Sequence, residues 1–178
     1  IIGYARELYG SPSRKIQSPE FYFKSGLTWS SVTMKDIALR ANGDGYLFDS
    51  GGSSMFFADD KDLKYYLSML NSCVSNHYMK FLSPTINVNA GDLARIPIID
   101  EVDPTVVSRM ASLADTAIAK SILKLAMRDE CWEFEQFINS LEAHIYTRNT
   151  YQDFNNKQKE IEVNLNEIQK DINETFIS

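Results

Sequence analysis

Three polar side chains at alternate positions, Thr85, Asn87 and Asn89, carry the most pointed chemistry in this sequence. In an extended strand they share one face, and Ile86 and Val88 share the other. Asn is poor strand material, so a face of Thr and Asn points to hydrogen bonding with something outside the fold. The side chains best suited to nucleobase edges are Asn or Gln for adenine and Arg for guanine, each making two hydrogen bonds at once. Asn42, Asn87, Asn89, Arg40 and Arg95 are of that type. Lys24, Ser25, Thr28, Ser30, Ser31, Lys35 and Arg40 supply cations and hydroxyls of the kind that hold phosphates. Each has a plainer use. Ser, Thr and Lys around Trp29 also suit an ordinary hairpin, and a Trp is more often core than base contact. Asn42-Gly43 has the sequence of a tight hairpin turn.

Several enzymatic chemistries lack their residues. His77 and His144 are the only histidines, and no Cys/His cluster has zinc spacing. There is no Gly-x-Ser-x-Gly elbow. The Ser50-Gly51-Gly52-Ser53-Ser54 run lacks the Gly-Lys-Ser/Thr of a phosphate loop and reads as a flexible hairpin loop. The neighbouring acids Asp59-Asp60 and Glu133/Glu135 read as a helix cap and a solvated face. Cys73 and Cys131, two lone thiols, suit a reducing cytoplasm better than a disulfide scaffold. No apolar run approaches the roughly 18 residues of a membrane span.

The elements that must position the polar face fall into two groups. Short strand signals occupy the first 60 residues: Phe21-Tyr22-Phe23, Ile37-Ala38-Leu39 and Tyr46-Leu47-Phe48, separated by Ser-, Gly- and Asn-rich turns. A helix capped by Asp59 or Asp60 follows, with Leu63, Tyr66, Leu67, Leu70, Val74 and Tyr78 on one side, and Pro84 ends it. Two short strands are predicted near 85–89 and 95–99. Asp103-Pro104 then starts a helix, and a further helix carries Trp132 to Ile145. After a break at Arg148-Asn149-Thr150, Tyr151, Phe154, Gln158, Ile161, Leu165, Ile168 and Ile172 form a heptad seam. The expected fold is α+β: a small mixed, curved sheet with a packed helix over residues 1–99, then an all-α arm over 100–178. The seam can pair between chains or fold back on its own.

The 178 residues carry a net charge of -6. Residues 1–99 hold ten basic and nine acidic side chains, and residues 100–178 hold eight and fifteen, so the acid belongs to the arm. The opening Ile1-Ile2-Gly3, with no initiator Met, reads as a piece of a longer protein.

Four blocks together resemble one family. They are FYFKSGLTWS at 21–30, DGYLFDSGGSSMFF at 44–57, the stretch from Asn71-Ser72 through Ser83-Pro84-Thr85 to GDLARIPI at 91–98, and NEIQKDINETFI at 166–177. This set is similar to the C-terminal part of the PglX family, the adenine-specific DNA methyltransferases of BREX phage-defence systems. Related blocks occur in restriction–modification enzymes with a fused specificity domain. The order of polar strand, Ile-Pro-Ile strand and long helix also resembles half of a type I restriction specificity subunit. Residues 109–148 match only loosely.

The resemblance implies a target recognition domain over 1–99 and a helical spacer over 100–178, with double-stranded DNA as the partner. The methyltransferase domain of the same protein and other defence subunits are further expected partners; a membrane is not. The family's Asn-Pro-Pro-Tyr-type catalytic motif and Gly-containing cofactor motif do not occur here. This chain is therefore expected to bind no S-adenosylmethionine and transfer no methyl group, leaving both to the domain before it. The alternative function is a protein-interaction module acting through the acidic arm.

With cations and acids nearly balanced over residues 1–99, few phosphates can be neutralised. The chain alone is therefore predicted to bind short duplexes weakly at physiological salt. A salt titration checks this, and tight binding under those conditions would contradict it.

Overall fold

The computed structural model describes residues 2–11, 17–49, 51–99, 101–128, 130–131, 134 and 148–177. Helix α1 (Ile2–Tyr9) precedes a three-stranded antiparallel sheet made of β1 (Gly26–Thr28), β2 (Arg40–Asn42) and β3 (Ser54–Met55), in the order β2-β1-β3. Five helices follow: α2 (Asp60–Leu70), α3 (Cys73–Leu82), α4 (Ala90–Leu93), α5 (Pro104–Ala126) and α6 (Arg148–Ile177). The fold is α+β. Among the described residues no helix is long and apolar enough to cross a membrane.

The sheet is narrow because its apolar signal is short. Leu27 faces Ala41 on one side and Met55 on the other, and these three turn into the core. Gly26 permits the close approach of β3: a Cβ there would lie 2.6 Å from the Met55 carbonyl oxygen. Trp29, fully buried, continues the inward row, and its indole N–H donates to the Val88 carbonyl at 3.2 Å. Trp29 is thus core, the commoner fate of a Trp.

The other strand signals resolve differently. Phe21 closes a one-turn 3-10 helix (Pro19–Phe21), and Phe23 takes a left-handed φ of 64°. Phe23 is pinned there by backbone bonds, its N–H to the Tyr46 carbonyl at 3.1 Å and its carbonyl to the Gly45 N–H at 3.0 Å. Tyr46-Leu47-Phe48 therefore runs beside Phe23 without becoming a strand. Ile37-Ala38-Leu39 is extended coil leading into β2. Asn42-Gly43 makes no two-residue hairpin: β2 pairs back to β1 across an intervening eleven-residue connection. Gly51 and Gly52 are anchored by the Asp49 carboxylate, which accepts from their N–H groups at 2.8 Å and 3.0 Å.

The helix expected to run to Pro84 is two helices. Asp59 caps α2, its side chain accepting from Lys61 N–H at 2.9 Å. At Asn71-Ser72 the chain breaks, and Ser72 takes an extended ψ of 156° and caps α3. The Ser72 hydroxyl donates to the Met69 carbonyl at 2.7 Å and accepts from the Ser75 N–H at 3.2 Å. Asn71 is the reason the break is tolerated. Its Oδ1 accepts from Leu39 N–H (2.9 Å), and its Nδ2 donates to the carbonyls of Leu39 (3.1 Å) and Leu67 (3.0 Å). The carboxamide thus serves Leu39 as a neighbouring strand would.

Asp103 starts α5 as expected, its carboxylate accepting from the N–H and hydroxyl of Thr105 at 2.7 Å each, and the Thr105 hydroxyl and N–H hold that carboxyl below its ordinary range. Helix α5 packs on α2, where Lys64 bridges Asp60 (2.6 Å) and Asp115 (2.7 Å) and the Ser68 hydroxyl donates to the Met110 carbonyl (3.1 Å). The heptad seam of α6 is used inside the chain. Ile161 packs with Ala126 and Met127, and Ile172 joins the main core with Leu63, Leu67 and Trp29. The hydrophobic core is continuous from β1 to α6. Arg148-Asn149-Thr150 forms the start of α6, and the helix expected over 132–145 lies outside the described residues.

Asn71→Ala strips both backbone groups of Leu39 of their partner. A buried unpaired polar group costs about 1–3 kcal/mol, so the expected destabilisation is roughly 2–4 kcal/mol. Urea unfolding of the variant measures it; a shift below about 0.5 kcal/mol, within the range of inert surface changes, would show that the clamp contributes little.

Candidate nucleic-acid interface

The register of the sheet decides which polar candidates share a face. Gly26 pairs with Asn42, Thr28 with both Arg40 and Ser54, while Leu27, Ala41 and Met55 point inward. Strand alternation therefore turns Thr28, Arg40, Asn42 and Ser54 outward together. Ser30 joins them, its hydroxyl accepting from Arg40 Nη2 at 3.2 Å. The Thr28 hydroxyl donates to the Ser53 carbonyl at 3.0 Å, which ties the edge loop to the same face. This outward face carries one guanidinium, one carboxamide and three hydroxyls, and the edge loop beside it carries the Asp49 carboxylate.

A second group adjoins the Ser30 end. Ser31 N–H donates to the Gly51 carbonyl at 3.2 Å, and its carbonyl accepts from Val88 N–H at 2.8 Å. Thr33 N–H donates to the Ile86 carbonyl at 2.8 Å, and Val32 bridges Asn87. The loop carrying Lys35 is therefore laid against the loop carrying Thr85 and Asn87. Lys35 and Thr85 line one cleft of about 240 Å³ between the 33–37 segment and α3. Met34, Asp36, Asn76 and Lys80 line it too. Asp36 and Lys80 form an exposed ion pair at 3.5 Å, of a kind worth little in water.

The expected strand over 85–89 is not there. Thr85 uses its hydroxyl locally, donating to the Asn87 carbonyl at 3.2 Å and accepting from the Asn87 N–H at 3.3 Å. Ser83 also donates to the Asn87 carbonyl, at 2.7 Å. These local bonds compete with a ladder and favour a turn. Asn89 precedes the one-turn helix α4, and its N–H donates to the Asp92 carboxylate at 3.1 Å. Val88 is buried but Ile86 is 54% exposed, so the anticipated apolar face does not form. Asn87 keeps an exposed side chain, beside Val32. The second strand, near 95–99, is also absent: α4 and a turn carry Leu93 and Ile96 inward and leave Ile98 and Ile99 exposed.

The remaining candidates stand apart. Lys24 and Ser25 lie just before β1, six and five residues ahead of Ser30, or roughly 17–20 Å along an extended chain. There Lys24 Nζ sits 5.5 Å over the Phe21 ring, and Ser25 N–H donates to Asp44. Lys24 and Asn42 line a small recess with Tyr46 and Phe48. Arg95 is exposed, its guanidinium donating to the Leu82 carbonyl at 3.5 Å.

Sequence reasoning missed Ser54, Met34 and Asn76. Ser54 needs the register to be placed. Asn76 is buried, its Nδ2 donating to the Ser72 carbonyl at 3.3 Å, and its Oδ1 meets no donor among the described residues. Its position three residues before buried Met79 and four after Ser72 was the available signal, since helix neighbours at that spacing share a face. Among the described residues no three potential metal-binding side chains stand together. The arrangement as a whole offers hydrogen bonds and positive charge to a ligand.

No family model matches the chain. Over 186 aligned residues, 97% of the chain, it is 30% identical to a protein of Escherichia coli O9:H4 (strain HS) named adenine-specific methyltransferase BrxX, and it covers 15% of that protein. Over 163 residues, 89% of the chain, it is 27% identical to adenine-specific methyltransferase PglX of Lacticaseibacillus casei (strain Zhang), covering 13% of it. The chain thus spans less than a sixth of the length of the curated relatives it matches, and both of those relatives are adenine-specific methyltransferases.

Proposed function

We propose that this chain is the target-recognition piece of an adenine-specific DNA methyltransferase in a BREX phage-defence system. It reads double-stranded DNA, while another part of the enzyme binds S-adenosylmethionine and transfers the methyl group. The observation that carries this reading is the outward sheet face of Thr28, Ser30, Arg40, Asn42 and Ser54, continued by Lys35, Thr85 and Asn87. A carboxamide and a guanidinium among hydroxyls is a set suited to base edges and phosphates together. The similarity to two adenine-specific methyltransferases supports the choice of DNA as the ligand.

Roles follow from position. Arg40 and Asn87 stand exposed and are the base readers; Asn42, half-buried, assists. Ser30, Ser31, Thr28 and Lys35 hold the phosphate backbone on one side. Lys24 and Ser25 reach a more distant phosphate, and Arg95 flanks the Thr85 loop. Asn89 serves the start of α4 before it serves DNA. The recognition domain occupies 1–99 and the helical spacer 100–178. The spacer braces the reader through the shared core, because α5 lies along α2 and α6 reaches α3. An interaction module acting through the arm has less support, since the apolar seam of α6 is covered within the chain.

Arg40→Ala with Asn87→Ala in the full-length enzyme tests the reading. Each two-bond base contact is worth about 1–3 kcal/mol of discrimination, so site-specific methylation is expected to fall at least tenfold with the melting temperature unchanged. Unchanged methylation, together with loss of assembly on charge reversal along α6, would establish the interaction module instead.

A further inference from the structure

The small recess beside Asn42 is continuous with the outward sheet face, since Asn42 and Ser54 belong to both. Its volume is about 10 Å³, close to the roughly 10–15 Å³ that one water occupies, so it has room for one group of that size. Half-buried Phe48 and Phe56 line it together with Tyr46 and Leu47, which are 62% and 61% exposed. The rings brace one another. The Phe48 and Phe56 centroids lie 5.2 Å apart, Phe56 stacks on Phe21 at 4.8 Å, and Tyr22 meets Phe48 edge-on at 5.5 Å. Phe23 fixes the approach to Leu47. Its left-handed φ of 64°, an uncommon conformation for Phe, comes with the two backbone bonds to Tyr46 and Gly45. Such outliers gather where a site must be held in one shape.

A recess this small excludes a whole base, and its aromatic and aliphatic lining suits a methyl group. In unmodified DNA thymine alone carries one, on C5 at the major-groove edge and next to the O4 acceptor. The Asn42 side-chain NH₂ is a donor of the kind O4 needs. Cytosine offers neither feature: it has no methyl, and it presents an amine where thymine has O4. Lys24 brings an ammonium group to the recess, suited to a neighbouring phosphate. The carboxylate of the adjoining turn, Asp44, accepts from the Ser25 N–H at 2.9 Å. We propose that this recess receives the C5-methyl group of a thymine in the major groove, with the Asn42 carboxamide donating to O4 of the same base. The base stays paired and stacked, and its methyl alone enters the protein. The proposal rests on the DNA-reading function above and deepens it with a subsite that tells thymine from cytosine.

Deoxyuridine tests it, because exchanging thymine for deoxyuridine removes the methyl and keeps O4. The full-length enzyme is given duplexes carrying its own methylated motif, mapped beforehand, with each thymine of either strand exchanged in turn. At one position the exchange is expected to weaken binding about fourfold, the worth of burying one methyl group. Leu47→Ser, a change at an exposed side chain, is expected to abolish that preference. A variant acting only through the fold would weaken both duplexes alike and keep their ratio. A sensitive position whose ratio survives Leu47→Ser overturns the recess as the place where the methyl is read. If no position is sensitive while Arg40→Ala with Asn87→Ala still lowers methylation, the recess proposal falls and the sheet-face reading stands. If no position is sensitive and that double variant methylates normally, both fall.

Discussion

The carboxamide of Asn71 is the contact on which the arrangement depends. It pairs with both backbone groups of Leu39, the residue before Arg40, and also with the Leu67 carbonyl in α2. Its own backbone carbonyl accepts from Gln169 Nε2 of α6 at 3.2 Å. One residue therefore holds the approach to β2, the end of α2 and the long terminal helix at a single point. The sheet alone could not fix Arg40: three strands of two or three residues offer few ladder bonds, and isolated small sheets are marginal in water. The helices supply the rigidity, and Asn71 passes it to the polar face.

The helical half is built into this scheme. The Asn173 side chain accepts from the Cys73 N–H at 2.8 Å, so α6 caps one of the orphan donors at the start of α3. Helix α3 in turn forms one wall of the cleft beside Lys35. Lys64, held between Asp60 and Asp115, fixes α2 to α5, and the carboxylates of those two partners raise its ammonium pKa. For the function proposed above, bracing of this kind keeps the polar side chains of the sheet face in place before a ligand arrives, which lowers the ordering cost of binding. Because α5 and α6 share a core with β1, they also fix the orientation of the sheet.

Much of the helical framework was legible in the sequence. Asp103-Pro104 marks one helix start and the Asp59-Asp60 pair another, to within one residue, and the seam from Phe154 to Ile172 shows the apolar period of α6 directly. Its partner was not legible, because a heptad seam looks the same whether it meets another chain or its own α5. The strands were misplaced because their apolar signal is one residue deep on each strand, Leu27, Ala41 and Met55, and the louder aromatic runs pack around them. The Thr85–Asn89 stretch was misread for a different reason. Alternation suggested a strand, but the hydroxyls of Ser83 and Thr85 and the Asp92 carboxylate give its backbone local partners. Of the candidate site, the residue types at Thr28, Ser30, Arg40 and Asn42 were legible; their common face was not, since it depends on a register fixed by contacts far apart in sequence.

The central claim is that this chain chooses the bases at which a methyltransferase acts. Exchanging it for the aligned segment of adenine-specific methyltransferase BrxX, within the BrxX enzyme, and mapping methylated adenines across the host genome tests that claim most directly. The account predicts that the methylated motif changes when the segment is exchanged and reverts when it is restored. Methylation that stays at the original motif after the exchange would contradict it.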